Sequence, residues 1–336
     1  MTDQQKNRAV WLQVRERSNM PMLRIMTWIS LRLGRTVSRS VLHLVALYFM
    51  LCSPASRRAS LDYLPRALGR PARLVDLYRH FFWFAATIHD RIYLVSRRFD
   101  LFDIEIVGKD IINPLIASGK GVFLMGAHLG SFEVMRAIGR QLPGLQVAMV
   151  MHEDNAQKIN DMLAAINPEA AQDIIGLGHI DSMLNVRQRL DQGALVGMLS
   201  DRTLGDEPMT PVELLGAKAA IPTGPFRMAA LLRRPVVFMT GLYLGGNRYQ
   251  VHFEMLADFS DMAAGKRNAA IEGAIERYTE LLNRFCLLAP YNWFNFFDYW
   301  QSVPAMLNTS AKSVAGASAR SADHTLQERT HGQQPH

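Results

Sequence analysis

The chain is poor in the residues that mark several common site chemistries. Only two cysteines, Cys52 and Cys286, occur among 336 residues. Two cysteines make neither a disulfide framework nor a zinc-ligand spacing, and they fit a reducing compartment. No H-E-x-x-H occurs, and His152, Glu153, His179 and Asp181 form no recognisable ligand set, so metal catalysis is not expected. No G-x-x-x-x-G-K-[ST] is present, which removes the phosphate-binding loop of nucleotide hydrolases. No signal peptide is evident after the polar start Met1–Asn7. Long apolar runs are missing too. The longest near the N-terminus, Val41–Cys52, is twelve residues without a charge. A membrane-crossing helix needs about 20.

Acidic residues are scarce at one end. Residues 1–99 hold 17 Lys and Arg against 5 Asp and Glu, a net of +12, whereas the whole chain is +7. The remaining residues therefore carry −5. A basic, tryptophan-bearing N-terminal part on a slightly acidic body points to an anionic surface as partner. No zinc-finger, RRM or KH signature supports nucleic acid, so the expected surface is a membrane. Between residues 8 and 51 apolar positions such as Trp11, Leu23, Trp28 and Leu33 alternate with Arg15, Arg24, Arg32 and Arg35. That pattern predicts helices lying in the interface plane, although a domain-packing helix would read the same way.

A further helix is expected over Arg73–Phe99, and from about residue 102 the pattern becomes α/β. Strands are expected at 102–107, 121–125, 145–151, 173–177, 194–199, 235–241 and 248–256. Helices are expected at 109–117, 155–166, 181–190, 223–232 and 268–288, besides one following residue 132. Alternating strands and helices predict a largely parallel central sheet flanked by helices, behind the helical membrane-associating segment. The organisation reads as a basic helical region over 1–100, an α/β domain over 101–303 and a disordered tail over 304–336. The aromatic stretch Tyr291–Trp300 reads as a packed C-terminal lid, or as a membrane-proximal or acyl-lining surface.

The stretch that organises the rest is Gly126-Ala127-His128-Leu129-Gly130-Ser131-Phe132-Glu133. The apolar run Gly121–Met125 before it reads as a buried strand. The residues after it, Val134, Ala137 and Ile138, read as a helix with Arg136 and Arg140 facing outward. His128 then sits at the C-terminal end of a strand, where open α/β sheets bind ligands, and Glu133 in the first helical turn. A His and a carboxylate meeting there suit a general base and its orienting group. The same glutamate could simply complement the helix macrodipole.

H-x4-E directly after an apolar strand resembles the motif of the lysophospholipid acyltransferase superfamily. The branch most similar is that of the late lauroyl and myristoyl transferases of lipid A biosynthesis. Two further blocks agree in order. Leu190–Arg202 resembles that branch's "L-x-x-G-x-x-V-x-x-x-P-D-x" stretch, and Val212–Pro225 its "V-x-F-F-G-x-x-A-x-x-x-x-G-x" stretch. The similarity spans residues 10 to 302. It implies a bacterial O-acyltransferase at the cytoplasmic face of the inner membrane, using no cofactor. The donor would be an acyl thioester on acyl carrier protein or coenzyme A, and the acceptor a lipid or glycolipid hydroxyl. His128 would be the base, Glu133 its orienter, and no nucleophile would be needed; Ser131 lies in no G-x-S-x-G elbow. Arg187, Arg189, Arg202, Lys218 and Arg227 are candidates for donor or acceptor phosphates, and Asp201 for orienting an arginine or the acceptor.

The sequence also departs from that branch. Its "Y-R-P" is replaced by Met151-His152-Glu153-Asp154, and its "D-x-D" by Asp201-Arg202-Thr203. An acidic rim where a diphosphorylated sugar would be gripped argues against lipid A itself as acceptor. A hydrolase using the same dyad, or a non-catalytic lipid-binding protein, are the other function classes such a chain could serve.

Overall fold

The uncharged run after Gly121 becomes the middle strand of a seven-stranded sheet, and everything near His128 is placed by it. The computed structural model describes residues 20–141, 145–152, 166, 174–177, 180–202, 207–263 and 265–300. In chain order the helices are α1 (Met20–Cys52), α2 (Pro54–Leu68), α3 (Leu74–Val95), α4 (Lys109–Ala117), α5 (Phe132–Gln141), α6 (Ile180–Asp191), α7 (Gly224–Leu231) and α8 (Arg267–Leu288). The strands are β1 (Asp103–Val107), β2 (Val122–Gly126), β3 (Val147–His152), β4 (Ile174–Leu177), β5 (Leu195–Leu199), β6 (Met209–Leu214), β7 (Ala217–Pro222), β8 (Pro235–Gly245) and β9 (Arg248–Asp258). The expected helix over 155–166, the N-terminal residues before Met20 and the tail after residue 303 fall, but for Ile166, outside the described residues.

The sheet order is β1-β9-β8-β2-β5-β3-β4. Neighbours are parallel except β8 and β9, which form an antiparallel hairpin. The sequence pattern placed both strands but not this reversal. Its cause is the pair Gly245 and Gly246, both at positive φ (94° and 63°), which closes a tight turn that side chains would strain. β6 and β7 form a separate two-stranded ribbon. No expected strand covered them, because their apolar residues do not alternate cleanly and Pro211 interrupts the first.

β2 is buried along its length, as suits a strand covered on both faces. Phe123, Met125, Val196 and Phe238 join one core cluster with α8; Val122, Leu124, Val134 and Val237 join another beneath α3 and α5. Gly197 in β5 leaves room for the Phe132 ring: a Cβ there would lie 2.3 Å from it. That contact seats the start of α5 directly above β5.

The N-terminal helices pack on this body. α1 breaks at Gly34, whose φ of 80° is non-helical. One residue on, Arg35 makes a bidentate ion pair with buried Asp90 of α3 at 2.8 and 2.9 Å. Tyr249 of β9 also donates to Asp90, at 2.8 Å. A buried carboxylate held from two elements resists being pulled out singly, so this cluster fixes α1 against the sheet. Among the described residues no single helix is long and apolar enough to cross a membrane. Only the pair Arg32–Cys52 and Pro54–Leu68, bent by 94°, reaches that length and composition together. α2 itself was not read from the sequence. Along α1 after the Gly34 break, the exposed apolar residues Val37, Leu44, Tyr48 and Leu51 recur at helical spacing, forming a stripe turned away from the core.

The loop after β2 depends on Gly130. It has φ of 74°, and a Cβ there would lie 2.1 Å from the Gly241 carbonyl oxygen. Gly130→Ala is therefore expected to cost roughly 2–3 kcal/mol, combining strain and a backbone clash. Gly119→Ala provides the comparison, since Gly119 has similar φ (65°) but nothing within 4 Å. Thermal denaturation should show a clearly larger fall in Tm for Gly130→Ala, on the order of 5 °C or more; equal falls would contradict the close approach.

Candidate active site

β2 ends at Gly126, and the backbone around the turn that follows bonds to several elements. The Gly126 carbonyl accepts from the Tyr278 hydroxyl at 2.8 Å and from the Ser200 amide at 2.9 Å. The Leu129 carbonyl accepts from Thr240 Oγ1 at 2.8 Å. The Gly130 amide donates to Asn292 O at 2.8 Å, the Ser131 amide to Gly241 O at 2.7 Å, and the Phe294 amide to His128 O at 2.8 Å. The turn carrying His128 is thus pinned by β5, β8, α8 and the segment after α8. A buried backbone group left unpaired would cost as much as a lost hydrogen bond, so this pairing is what holds the turn rigid.

His128 occupies the C-terminal edge of the sheet, as expected. Its Nδ1 lies 2.8 Å from Asp201 Oδ1, and its backbone amide donates to Asp201 Oδ2 at 3.1 Å. The Trp293 indole N–H donates to the same Oδ2 at 3.0 Å. Tyr299 donates to the Asp201 carbonyl at 2.9 Å. Burial by itself would raise the Asp201 carboxyl's pKa. The charge of His128, its hydrogen bond, Arg202 and the Trp293 N–H outweigh that and hold it well below the usual carboxylate range. An ionised Asp201 can only accept, so Nδ1 carries a hydrogen, and in the neutral ring this tautomer leaves the lone pair on Nε2. The exposures differ in the same sense: the His128 side chain is 29% exposed and that of Asp201 1%.

The sequence named Glu133 as the group orienting His128. The carboxylate found on Nδ1 is that of Asp201, 73 residues further on. Glu133 sits in the first turn of α5 as expected, but its described bonds run to Arg136 at 3.2 and 3.3 Å. Arg136 itself corrects a second expectation. It is 1% exposed rather than facing outward. The i, i+3 spacing on a helix brings it over the buried Glu133, and neither charge could be buried without the other.

The other candidates divide by position. Arg202 follows Asp201 and places its guanidinium 5.1 Å from the centre of the Phe297 ring, beside the His128 site. Arg187 and Arg189 lie in the last turns of α6, which leads into the N-terminal end of β5. They pair there with Asp191 and Gln146. They stand at the edge of the sheet opposite His128, because α6 runs antiparallel to the strand it precedes. Lys218 is exposed on the β6–β7 ribbon, in register with Glu213, and Arg227 is exposed on α7. None of these four is brought to His128 by a described contact.

Within the aromatic stretch Tyr291–Trp300, no individual role was expected for Trp293, Tyr299 or Asn292. Trp293 is fully buried, so Tyr291–Trp300 is in good part a packed closure. Its signal was present as aromatic density, but nothing in the spacing said that an indole would reach Asp201.

Residues 79–302, two-thirds of the chain, match the sequence model of a family described as bacterial lipid A biosynthesis acyltransferase. The chain belongs to that family. The match covers β2, α5, β5 and the closing aromatic segment, hence every residue that touches His128 above. A comparison with curated proteins returned no match. Membership makes the protein an acyltransferase with a lipid acceptor in general terms. In this acyltransferase His128, Asp201 and Trp293 form one hydrogen-bonded unit on the sheet's open edge.

That unit has a pH signature. His80 of α3 bonds through Nε2 to the Trp293 carbonyl at 2.9 Å and through Nδ1 to Ser60 Oγ at 3.2 Å. Burial pushes its pKa down to about 4, against the raising effect of the Trp293 carbonyl. Unfolded histidine titrates near 6.5. Between those values the unfolded chain binds a proton that the folded one does not, so stability falls as pH drops from about 6.5 to about 4. The loss should be on the order of 3 kcal/mol. Denaturant melts across that range should show it in the native protein and a flatter profile in His80→Gln.

Proposed function

We propose that the protein is a membrane-associated O-acyltransferase in which His128 and Asp201 activate an acceptor hydroxyl against an acyl thioester. The observation that carries this is the 2.8 Å contact between His128 Nδ1 and buried Asp201, on a histidine side chain that is 29% exposed at the open edge of the sheet. The acceptor's hydroxyl proton passes to Nε2 while its oxygen attacks the thioester carbonyl carbon. Asp201 keeps the imidazole in the required tautomer and offsets the positive charge it gains. The tetrahedral intermediate collapses with loss of the thiolate. A thiolate is a modest base, so the same imidazolium can return the proton to sulfur. No covalent enzyme intermediate is needed.

Glu133 stays part of this reading as a positioning residue. Its buried pair with Arg136 fixes the first turn of α5 behind the base. Arg202, next to Asp201, is the cation best placed for a phosphate of the donor's arm or of the acceptor. The donor is an acyl thioester on acyl carrier protein or coenzyme A, and the acceptor is a lipid or glycolipid hydroxyl. The enzyme works peripherally at the cytoplasmic face of the inner membrane. The apolar stripe of α1 and the exposed arginines Arg32 and Arg58 of the N-terminal helices support that location.

His128→Ala should lower transfer by about 10²–10⁴-fold, the usual contribution of a positioned base. Asp201→Asn should fold yet lose a large part of the rate, while Ser131→Ala stays near the native rate. The deciding assay incubates the enzyme with radiolabelled acyl thioester, with and without a lipid acceptor. Label should appear in lipid and not on denatured protein. A stoichiometric acyl-enzyme lost in Ser131→Ala would overturn direct attack, and free fatty acid as sole product would make the protein a hydrolase.

A further inference from the structure

A small antiparallel pairing grips the Asp201 carboxylate. Leu129, next to His128, forms a β-bridge with Trp293. The flanking bonds run from the Gly130 amide to Asn292 O and from the Phe294 amide to His128 O, each at 2.8 Å. One side of the pairing carries the His128 amide and the other the Trp293 indole. Both donate to the same oxygen, Asp201 Oδ2, at 3.1 and 3.0 Å, while Oδ1 takes the His128 ring. The terminal torsion of an aspartate is soft and has no sharp rotamer of its own. With the indole removed, the carboxylate plane would be set by two bonds to a single residue. Trp293 adds a third bond from a distant stretch of chain.

The aim of the indole is fixed from several sides. Trp293 is fully buried. Its ring meets Tyr63 and Tyr299 edge-on with centroids 5.1 Å away, and Trp300 at 6.0 Å. Its carbonyl faces His80 Nε2 at 2.9 Å. Just before it, the Tyr291 hydroxyl donates to Asp76 Oδ1 at 2.7 Å, and the Pro290 carbonyl accepts from Tyr63 at 2.8 Å. A ring packed this closely keeps one orientation.

The charges around the pair are few. Among the described residues, Arg202, Tyr278, Tyr299 and Cys286 also interact with the Asp201 charge. Burial pushes the two tyrosines and the cysteine up, so all three stay neutral where a histidine titrates. Of these four, Arg202 alone carries a charge. The Trp293 N–H is a donor that does not itself titrate.

We propose that Trp293 is a positioning residue for this reaction: its N–H orients the Asp201 carboxylate and takes up part of its charge, which keeps His128 neutral, and able to act as a base, down to a lower pH. The inference rests on His128 being the base, and it adds the group that sets when the base is available. Removing the N–H leaves the Asp201 charge less compensated. The proton on His128 is then held more tightly, and the ring becomes neutral only at higher pH.

The test changes one atom. In the full chain Trp293 is replaced by benzothienylalanine, in which sulfur stands for the indole N–H and the ring shape is kept. Trp293→Phe is the encoded second variant. Trp300→Phe is the control, since the Trp300 indole donates instead to Leu214 O at 3.3 Å. Each chain carries histidine isotope-labelled at Cε1 for NMR, and His128 is assigned by the signal lost in His128→Gln. The His128 titration midpoint should rise by about half a pH unit or more in both Trp293 replacements. It should keep its native value in Trp300→Phe. The benzothienyl chain should melt near the native Tm, which separates a lost bond from a lost fold. An unchanged or lowered midpoint in that chain would overturn the proposal, whatever Trp293→Phe does to stability. An equal rise in Trp300→Phe would overturn it too, by tracing the shift to aromatic packing. The acyltransferase reading is tested separately: retained transfer by His128→Ala would end it without altering the titration.

Discussion

Asp201 is the group on which the site depends. A carboxylate with 1% exposure is expensive to ionise unless its lone pairs are filled. Here they are filled from the His128 ring, the His128 amide and the Trp293 indole, which come from two distant stretches of chain. Each donor is itself fixed. The His128 turn is tied to β5, β8 and α8, and the Trp293 carbonyl is held by His80. The orientation of His128 is thus set by packing and hydrogen bonding over four elements, the kind of rigidity that preorganised catalysis requires.

The same segment joins chemistry to surface. Residues 291–300 close the domain with Trp293, Tyr299 and Trp300 buried, and their start is anchored to α2 and α3. The N-terminal helices are in turn clamped by Arg35 on Asp90. The N-terminal helices and the segment that holds Asp201 and His128 are therefore parts of one packed body. A loss at the Asp76–Tyr291 junction should be felt at Asp201 although neither residue touches substrate.

Local pattern alone carried several elements. The strands and helices from Asp103 to Leu124, the helix ending at Leu288 and the position of His128 at a strand end were all legible, because apolar periodicity and uncharged runs report burial directly. The ordered motif blocks also pointed to the family that the chain matches over residues 79–302. The β8–β9 reversal was less legible, since it turns on two glycines at positive φ rather than on any apolar pattern. The β6–β7 ribbon and α2 were missed because elements with mixed faces carry little periodic signal.

The sequence by itself determined the histidine at a strand's end, the strand that presents it and the basic character of the N-terminal part, since each follows from residue types close together in the chain. The partner of that base was decided only by tertiary structure. Glu133 was the near carboxylate in sequence, but a helix places i and i+3 on one face, so Arg136 took it inward. Asp201 lies 73 residues from His128 in sequence but on the adjacent strand's end, because β5 pairs with β2 in parallel and in register from Val122 with Leu195 to Gly126 with Leu199. Strand pairing is a long-range choice made by burial of two apolar runs, and no spacing along the chain encodes which carboxylate it will bring to the histidine.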